Sequence, residues 1–155
     1  MSGADPADPA EARARASAAA LLGADAAVRG LGITAEGVGA GRATARMRVT
    51  AAMINGHGTC HGGYLFTLAD AAFALASNTH GEVTVAAGAD IAFLSPAHLG
   101  DELVAEAVER ARQGRRGLYD VTVRRVRDGC VLAEFRGRSR SLGRPLSGPA
   151  PVGPA

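Results

Sequence analysis

The amino-acid sequence predicts an α+β domain in which a mostly antiparallel sheet encloses one apolar helix. Residues 64–76 read YLFTLADAAFALA and are apolar almost all round, whereas a helix on a protein surface keeps a polar face. The stretches on both sides of it alternate apolar and polar residues, as half-buried strands do. A sheet must therefore cover the helix, because uncovered apolar surface costs about 25 cal/mol per Å².

Composition narrows the class of protein. A chain of 155 residues with 47% hydrophobic residues and a net charge of +2 predicts one domain without the basic stripe of a nucleic-acid binder. Its two cysteines, Cys60 and Cys130, predict neither a disulfide framework nor a zinc site and favour a reduced compartment. With no signal peptide and no apolar run of about 18 residues, we expect a cytoplasmic protein without a membrane or nucleic-acid partner.

Domain boundaries follow from changes in composition. Residues 1–10 and 142–155 are rich in Pro, Gly and Ala, which predicts disordered tails. The single domain then spans residues 11–141. It opens with an Ala-rich stretch, 11–29, that predicts a helix ending near Gly30.

Strands are predicted on both sides of the apolar helix. Before it, residues 41–50 alternate cleanly and pair with the weaker strand 33–38 through a turn at 39–41. After it, one strand places six apolar side chains on a single face: Val83, Val85, Ala87, Ala89, Ile91 and Phe93. Asp128–Gly129 is a strong hairpin turn. Residues 101–112 are mostly good helix formers that also alternate, so local sequence leaves helix and strand both open.

The segment NGHGTCHGGYLFTLAD, residues 55–70, combines a Gly-rich loop with the start of the apolar helix. Gly62 and Gly63 open that helix, where backbone N–H groups lack intrahelical partners and carry partial positive charge. Glycine lets a substrate approach the backbone, so these donors could hold a carbonyl oxygen that becomes negative during attack. A tight loop-to-helix turn is the structural alternative.

Asp70 is the acidic residue of the apolar helix, where an isolated carboxylate costs several kcal/mol. This favours a functional role, and a buried ion pair with an arginine or a loop cap is the alternative. Asn55 could donate to a carbonyl or hold a water, while His57 and His61 are more often structural in such loops. Cys60 beside His61 is a weak nucleophile pair, because adjacent side chains rarely point at each other.

The spacing of Gly62 and Asp70 predicts a site shared by two chains. Eight residues in one helix span about 12 Å, but an oxyanion donor and an attacking group must both lie within about 3 Å of the reacting atoms. One helix cannot supply both to one carbonyl. The helix start of one subunit would instead face Asp70 of another across a two-fold axis.

The string NGHGTCHGGYLFTLADAAFALASN resembles the PaaI-type thioesterases of the hotdog superfamily. The resemblance continues through ADIAFLSPAHLGDELVAEAV, GLYDVTV and AEFRGRSR and covers roughly residues 30–142. It implies a long central helix wrapped by a five- to six-stranded antiparallel sheet, with residues 101–112 as a strand. It also implies dimers or tetramers of double hotdogs that hydrolyse acyl-CoA thioesters, with aromatic acyl groups such as phenylacetyl favoured, and no metal or other cofactor.

The resemblance also assigns roles by position. Asp70 matches the catalytic carboxylate, Gly62 the backbone oxyanion donor, and Asn55 the loop amide that positions the nucleophile or water. His61 matches a residue lining the site. One departure is Ala74, where some related enzymes carry a hydroxyl that helps hold the attacking water. We further expect Gly63 and Phe66 to contact substrate, Phe73 and Phe93 to help shape the acyl pocket, and CoA phosphates to lie near arginines, with these candidates: Arg115, Arg116, Arg136 and Arg138.

The sequence leaves several alternatives open. Asp70 could act as general base on a water or attack directly to form an anhydride. A hotdog dehydratase for 3-hydroxyacyl thioesters would use a helix carboxylate with a loop histidine such as His57. A non-catalytic protein that binds acyl-CoA is a third possibility.

Overall fold

The computed structural model describes residue 5 and residues 8–146. Within these residues the helices and strands follow one another in this order: α1 Pro9–Ala24, α2 Ala26–Gly30, β1 Thr34–Gly39, β2 Arg42–Arg48, a 3-10 turn Ala51–Met53, α3 Gly62–Asn78, β3 Glu82–Phe93, β4 Glu102–Gln113, β5 Arg116–Arg125 and β6 Val131–Pro145. Among the helices of this part of the chain, none has both the length and the apolar character that a membrane crossing needs.

The six strands form one antiparallel sheet in the order β1-β2-β4-β5-β6-β3, so β1 and β3 lie at its edges. Helix α3 packs against every strand of this sheet. This confirms the predicted α+β class, the hotdog arrangement of a long helix wrapped by an antiparallel sheet.

Small side chains let the sheet close onto α3. In the register of β2 with β4, Ala43 lies beside Ala107 and Ala45 beside Ala105. All four are at most 2% exposed and belong to the core around α3. Because protein interiors are close-packed, these small side chains let the helix lie near strands β2 and β4.

The segment that local sequence could not assign is strand β4, Glu102–Gln113, as the family resemblance implied. Its inward residues Leu103, Ala105 and Ala107 are buried, and it pairs with β2 on one side and β5 on the other. Two ladders of hydrogen bonds and a buried face outweigh a helix preference of a few tenths of a kcal/mol per residue.

The prediction that six apolar residues of β3 share one face is wrong. The register with β6 shifts between Ala86 and Gly88, which is a β-bulge. Beyond the bulge Ile91 pairs with buried Phe135 and faces the helix, but Val85 pairs with Arg140 on the outer surface. One extra residue reverses which side chains point inward, and strict alternation cannot reveal it.

Regular secondary structure extends beyond both predicted ends of the domain, residues 11 and 141. The N-terminal helix, predicted as 11–29, begins at Pro9 and is divided in two, because Asp25 leaves helical geometry (φ −93°, ψ 92°) and caps α2. At the other end, 142–145 continue β6 instead of starting a tail. They do so because β6 pairs with the start of β3 and the Leu146 N–H donates to the Gly81 carbonyl at 2.8 Å. Of the two predicted tails, residues 1–4, 6–7 and 147–155 lie outside the described residues.

Candidate active site

The loop before α3 is organised around Asn55. Its Oδ1 accepts hydrogen bonds from the backbone N–H of His57 at 2.9 Å and of Thr59 at 3.2 Å, and from the Thr59 hydroxyl at 3.4 Å. These bonds use the side-chain oxygen and leave the amide NH₂ outside them. The Asn55 side chain is thus fixed with a donor group available.

The loop is joined to the rest of the fold at Cys60 and His61. The His61 N–H donates to the Met53 carbonyl at 2.8 Å, and the Cys60 N–H donates to the Ala97 carbonyl at 2.8 Å. His61 is the exposed N-cap residue of α3 and makes no side-chain cap bond. Cys60 is 5% exposed, and burial raises the pKa of its thiol, which argues against a Cys60–His61 nucleophile.

An open cleft of about 610 Å³, here called the loop cleft, lies over the start of α3. It brings together four of the predicted site residues: Asn55, His61, Gly62 and Gly63. His57, which a dehydratase would require as a base, is exposed and does not line it. The loop cleft is therefore lined by the residues that carry the predicted hydrogen-bond donors, which are the Asn55 amide and the backbone N–H groups of Gly62 and Gly63.

Phe93 borders the loop cleft and lies against Gly62. A Cβ at Gly62 would lie 2.9 Å from the Phe93 Cζ atom, a distance that would force one of them to move. Phe93 itself is 54% exposed. Without a side chain at Gly62, the aromatic ring and the opening N–H groups of α3 share one surface.

Phe66 and Phe73 pack into the core. The Phe66 ring lies edge-on to Phe135 with centroids 5.2 Å apart, and Phe73 packs on Tyr119 at 5.5 Å. Phe73 is 1% exposed, while Phe66 remains partly accessible. Phe66 lines neither the loop cleft nor the cavity beside Asp70, so its predicted contact with substrate stays a prediction.

Asp70 lies near the middle of α3 beside a cavity of about 220 Å³, here called the Asp70 cavity. It is half-buried and forms no ion pair with any residue of the described part of the chain. Burial raises the pKa of the Asp70 carboxyl, and the negative charge of Asp25 raises it further. An unpartnered carboxylate of this kind is a candidate proton acceptor.

The loop cleft and the Asp70 cavity share no lining residue. Gly62 and Asp70 belong to the same helix, about 12 Å apart along its axis. Within one chain, the predicted donors at the start of α3 and the Asp70 carboxylate therefore cannot meet at a single carbonyl.

Sequence reasoning missed Asp25, which lines the Asp70 cavity from the junction of α1 and α2. A signal was present: an acidic residue after Gly23–Ala24 is a typical helix N-cap. The surrounding alanines instead suggested one continuous helix.

The predicted phosphate-binding arginines differ in their surroundings. Arg136 donates to both carboxylate oxygens of Asp120 at 2.7 and 2.9 Å, and Arg138 donates to Asp90 at 2.7 Å. Arg116 lines an outer cleft of the sheet. Which of them contacts CoA stays a prediction.

The comparisons with known proteins agree with this geometry. The family model described as Thioesterase superfamily matches residues 57–132. Acyl-coenzyme A thioesterase PaaI of Escherichia coli K12 is 43% identical over 126 residues, which are 81% of this chain and 89% of that protein. The chain thus belongs to the thioesterase superfamily.

Two solved structures are similar to this chain. The E. coli PaaI structure matches with a TM-score of 0.85 at 40% identity, covering 87% of this chain and 97% of that one. The Streptococcus mutans UA159 protein smu.793, solved bound to acetyl CoA, matches with a TM-score of 0.69 at 25% identity over 73% and 90% of the two chains. Within the superfamily this chain is of the PaaI type.

Proposed function

We propose that this protein hydrolyses acyl-CoA thioesters to a free acid and CoA, with Asp70 as the reacting carboxylate. The observation that carries the proposal is Asp70 itself: a half-buried acid in an apolar helix, without an ion-pair partner in the described residues, beside a cavity. The PaaI relative, an acyl-coenzyme A thioesterase, supports the reaction class, and a relative bound to acetyl CoA supports the ligand class.

The complete site forms between two subunits in this proposal. The loop cleft of one protomer supplies the donors, and the partner's copy of α3 supplies the carboxylate, because one chain cannot deliver both. The edge strand β3 offers a surface for the partner, since its unpaired side would otherwise leave backbone groups open. Exposed Phe93 and Leu94, at 54% and 58%, lie where this strand meets the loop cleft.

The chemistry follows from these positions. The thioester carbonyl oxygen accepts hydrogen bonds from the Gly62 N–H and the Asn55 amide, which stabilise the negative charge that forms on it. Asp70 accepts a proton from water, whose oxygen attacks the carbonyl carbon. The C–S bond then breaks, and the departing CoA thiolate takes up the proton that Asp70 had accepted, which restores the carboxylate. Direct attack by Asp70 would give an anhydride that water later opens. Incorporation of ¹⁸O from labelled water into Asp70 during a single turnover, or an acylated Asp70 peptide after rapid quenching, supports the anhydride, and the absence of both supports the general base.

Aromatic acyl groups such as phenylacetyl and hydroxyphenylacetyl are the proposed substrates. Phe93, 54% exposed beside Gly62, supplies aromatic surface at the loop cleft, whereas Phe73 lines the Asp70 cavity from within the core. Stacking on such rings favours an aryl group over an alkyl chain of similar volume. A panel of aryl and alkyl acyl-CoAs should give the highest kcat/KM with the aryl members.

The decisive experiment replaces Asp70 with Asn and follows release of free thiol from phenylacetyl-CoA. We expect turnover to fall by about 10²–10⁴-fold, because a positioned base contributes this much. Circular dichroism and the oligomeric mass must match the unmodified protein. Unchanged turnover would refute the role of Asp70, while binding without turnover in the unmodified protein would indicate an acyl-CoA-binding protein. Enoyl product without thiol release would indicate a dehydratase.

Mixed oligomers test the sharing of the site. Asp70→Asn and Asn55→Ala subunits, each inactive alone, are co-purified from one cell through two different affinity tags. A hybrid dimer then contains one site with both lesions and one with none, so about half of the unmodified activity should return. A hybrid as inactive as its parents would show that each chain builds its own site.

A further inference from the structure

Asp25 occupies the junction at which α1 ends and α2 begins. Its backbone N–H donates to the Leu22 carbonyl at 3.2 Å, and its Oδ1 accepts the Val28 N–H at 3.0 Å. Val28 is 5% exposed and belongs to the core. One carboxylate oxygen is thereby held by a capping bond on a segment anchored in the core.

This junction brings Asp25 to the Asp70 cavity. The cavity is lined from α1 by Leu21, from the junction by Asp25, from α3 by Asp70, Phe73, Ala74, Ser77 and Asn78, and from β3 by Thr84, Val85 and Ala86. Among these lining residues, Asp25 and Asp70 alone carry ionisable side chains. No cation on any of these elements lines the cavity to neutralise the pair.

We propose that Asp25 is a positioning residue for the reaction, whose fixed negative charge makes Asp70 a stronger proton acceptor. This inference rests on the proposed function of Asp70. Asp25 need not touch the substrate, since its effect acts through the field that it exerts across the cavity.

The electrostatics support this role. A like charge and a low-dielectric surrounding both disfavour the ionised form of a carboxylic acid. For Asp70, burial is the larger cause of the raised pKa and Asp25 is the second. A base whose pKa lies closer to the working pH accepts a proton from water more effectively.

The test replaces Asp25 with residues that lack its negative charge but can still accept the Val28 N–H. In Asp25→Asn the side-chain oxygen still accepts the Val28 N–H, since Asn caps helices as well as Asp does. We expect the acidic limb of the kcat–pH profile with phenylacetyl-CoA to move to lower pH, and the plateau turnover to fall roughly 2- to 10-fold as the base weakens. Asp25→Ser, which also retains a cap acceptor, should show the same shift and serves as the second variant.

Asp8→Asn is the matched control. Asp8 caps α1 by accepting the Ala10 N–H at 2.9 Å, and it does not line the Asp70 cavity. Its replacement removes the same charge from a helix cap and should leave the acidic limb in place. If the limb stays in place in correctly folded Asp25→Asn and Asp25→Ser as well, Asp25 is only a helix cap and the inference is overturned.

The two proposals can fail separately. If Asp70→Asn retains turnover, the proposed function fails whatever the Asp25 variants do. If Asp70→Asn is inactive and the Asp25 variants keep the acidic limb of the unmodified protein, only the role of Asp25 fails.

Discussion

Asp70 and Glu109 are both partly buried acids on the inner side of the molecule, but their surroundings differ. Glu109 Oε2 accepts a hydrogen bond from the Tyr119 hydroxyl at 2.7 Å and lies 2.6 Å from His80 Nε2. Burial by itself raises the pKa of Glu109, but the hydrogen bonds from His80 and Tyr119 outweigh it and the net pKa is lowered. Among the described residues Asp70 has no comparable partner, and its pKa is raised.

This comparison separates a structural acid from a candidate catalytic one. Burial is common to both and therefore does not identify function. The difference is whether the fold satisfies the charge: Glu109 joins the end of α3 to β4 and β5, while Asp70 is left beside a cavity with a second negative charge. A carboxylate that the fold leaves unsatisfied retains the capacity to take a proton.

The strongest test replaces each acid by its amide. Asp70→Asn should reduce turnover of phenylacetyl-CoA by about 10²–10⁴-fold, while Glu109→Gln should keep most of the activity because Glu109 lines neither the loop cleft nor the Asp70 cavity. Steady-state thiol release measures both. Comparable losses in the two variants would remove the distinction drawn between the two acids.

The free energy of unfolding, in contrast to turnover, should depend on the surroundings of Glu109. Tyr119→Phe removes the hydroxyl that donates to Glu109 and should lower the free energy of unfolding by about 1–2 kcal/mol, since bonds to charged groups are worth about 1.5–3 kcal/mol and Glu109 is partly exposed. Urea denaturation measures this change. Activity at a temperature well below the unfolding transition should stay close to that of the unmodified protein.

The contribution of Glu109 should depend on pH. Its folded pKa is lowered, so the stabilisation is present above the unfolded value of about 4.3 and is lost as the pH falls through the folded pKa. The difference in unfolding free energy between the unmodified protein and Glu109→Gln should therefore shrink between pH 7 and pH 3. A difference that is constant over this range would contradict the assignment.

The smallest expected effect is a gain in stability on removing Asp70. Its folded pKa is raised, so the ionised form costs stability at pH values above the folded pKa, and this cost vanishes below the unfolded pKa of about 3.9. Asp70→Asn should raise the unfolding free energy at pH 7 by up to about 1 kcal/mol. The gain should disappear near pH 3 in the same denaturation assay, whereas a loss of stability at pH 7 would indicate that Asp70 is a structural acid.

Much of the fold was predictable because its signals are local. The clean alternation of residues 41–50 corresponds to β2, and the Gly-rich turn at 39–41 to the hairpin with β1. The apolar run 64–76 corresponds to α3, whose burial on nearly all sides its composition requires. The predicted site residues Asn55 and Gly62 line one cleft, and their roles stay predictions.

What escaped prediction depends on contacts between distant segments. The bulge in β3 is fixed by its register with β6, and the extension of β6 to Pro145 depends on the start of β3. At Asp25 the first helix ends and a second one is capped. The new helix places Val28 in the core. Such choices involve energies of about 1 kcal/mol, too small for local sequence to determine.

The sequence by itself determined that an acid would lie in an apolar helix, eight residues from a glycine pair, because composition and spacing are properties of the chain. Only the tertiary structure decided that this acid would lack an ion-pair partner in the described residues, border a cavity and face the charge of Asp25. Burial, partners and fields arise between residues far apart in sequence, and the fold alone brings these residues within reach of one another.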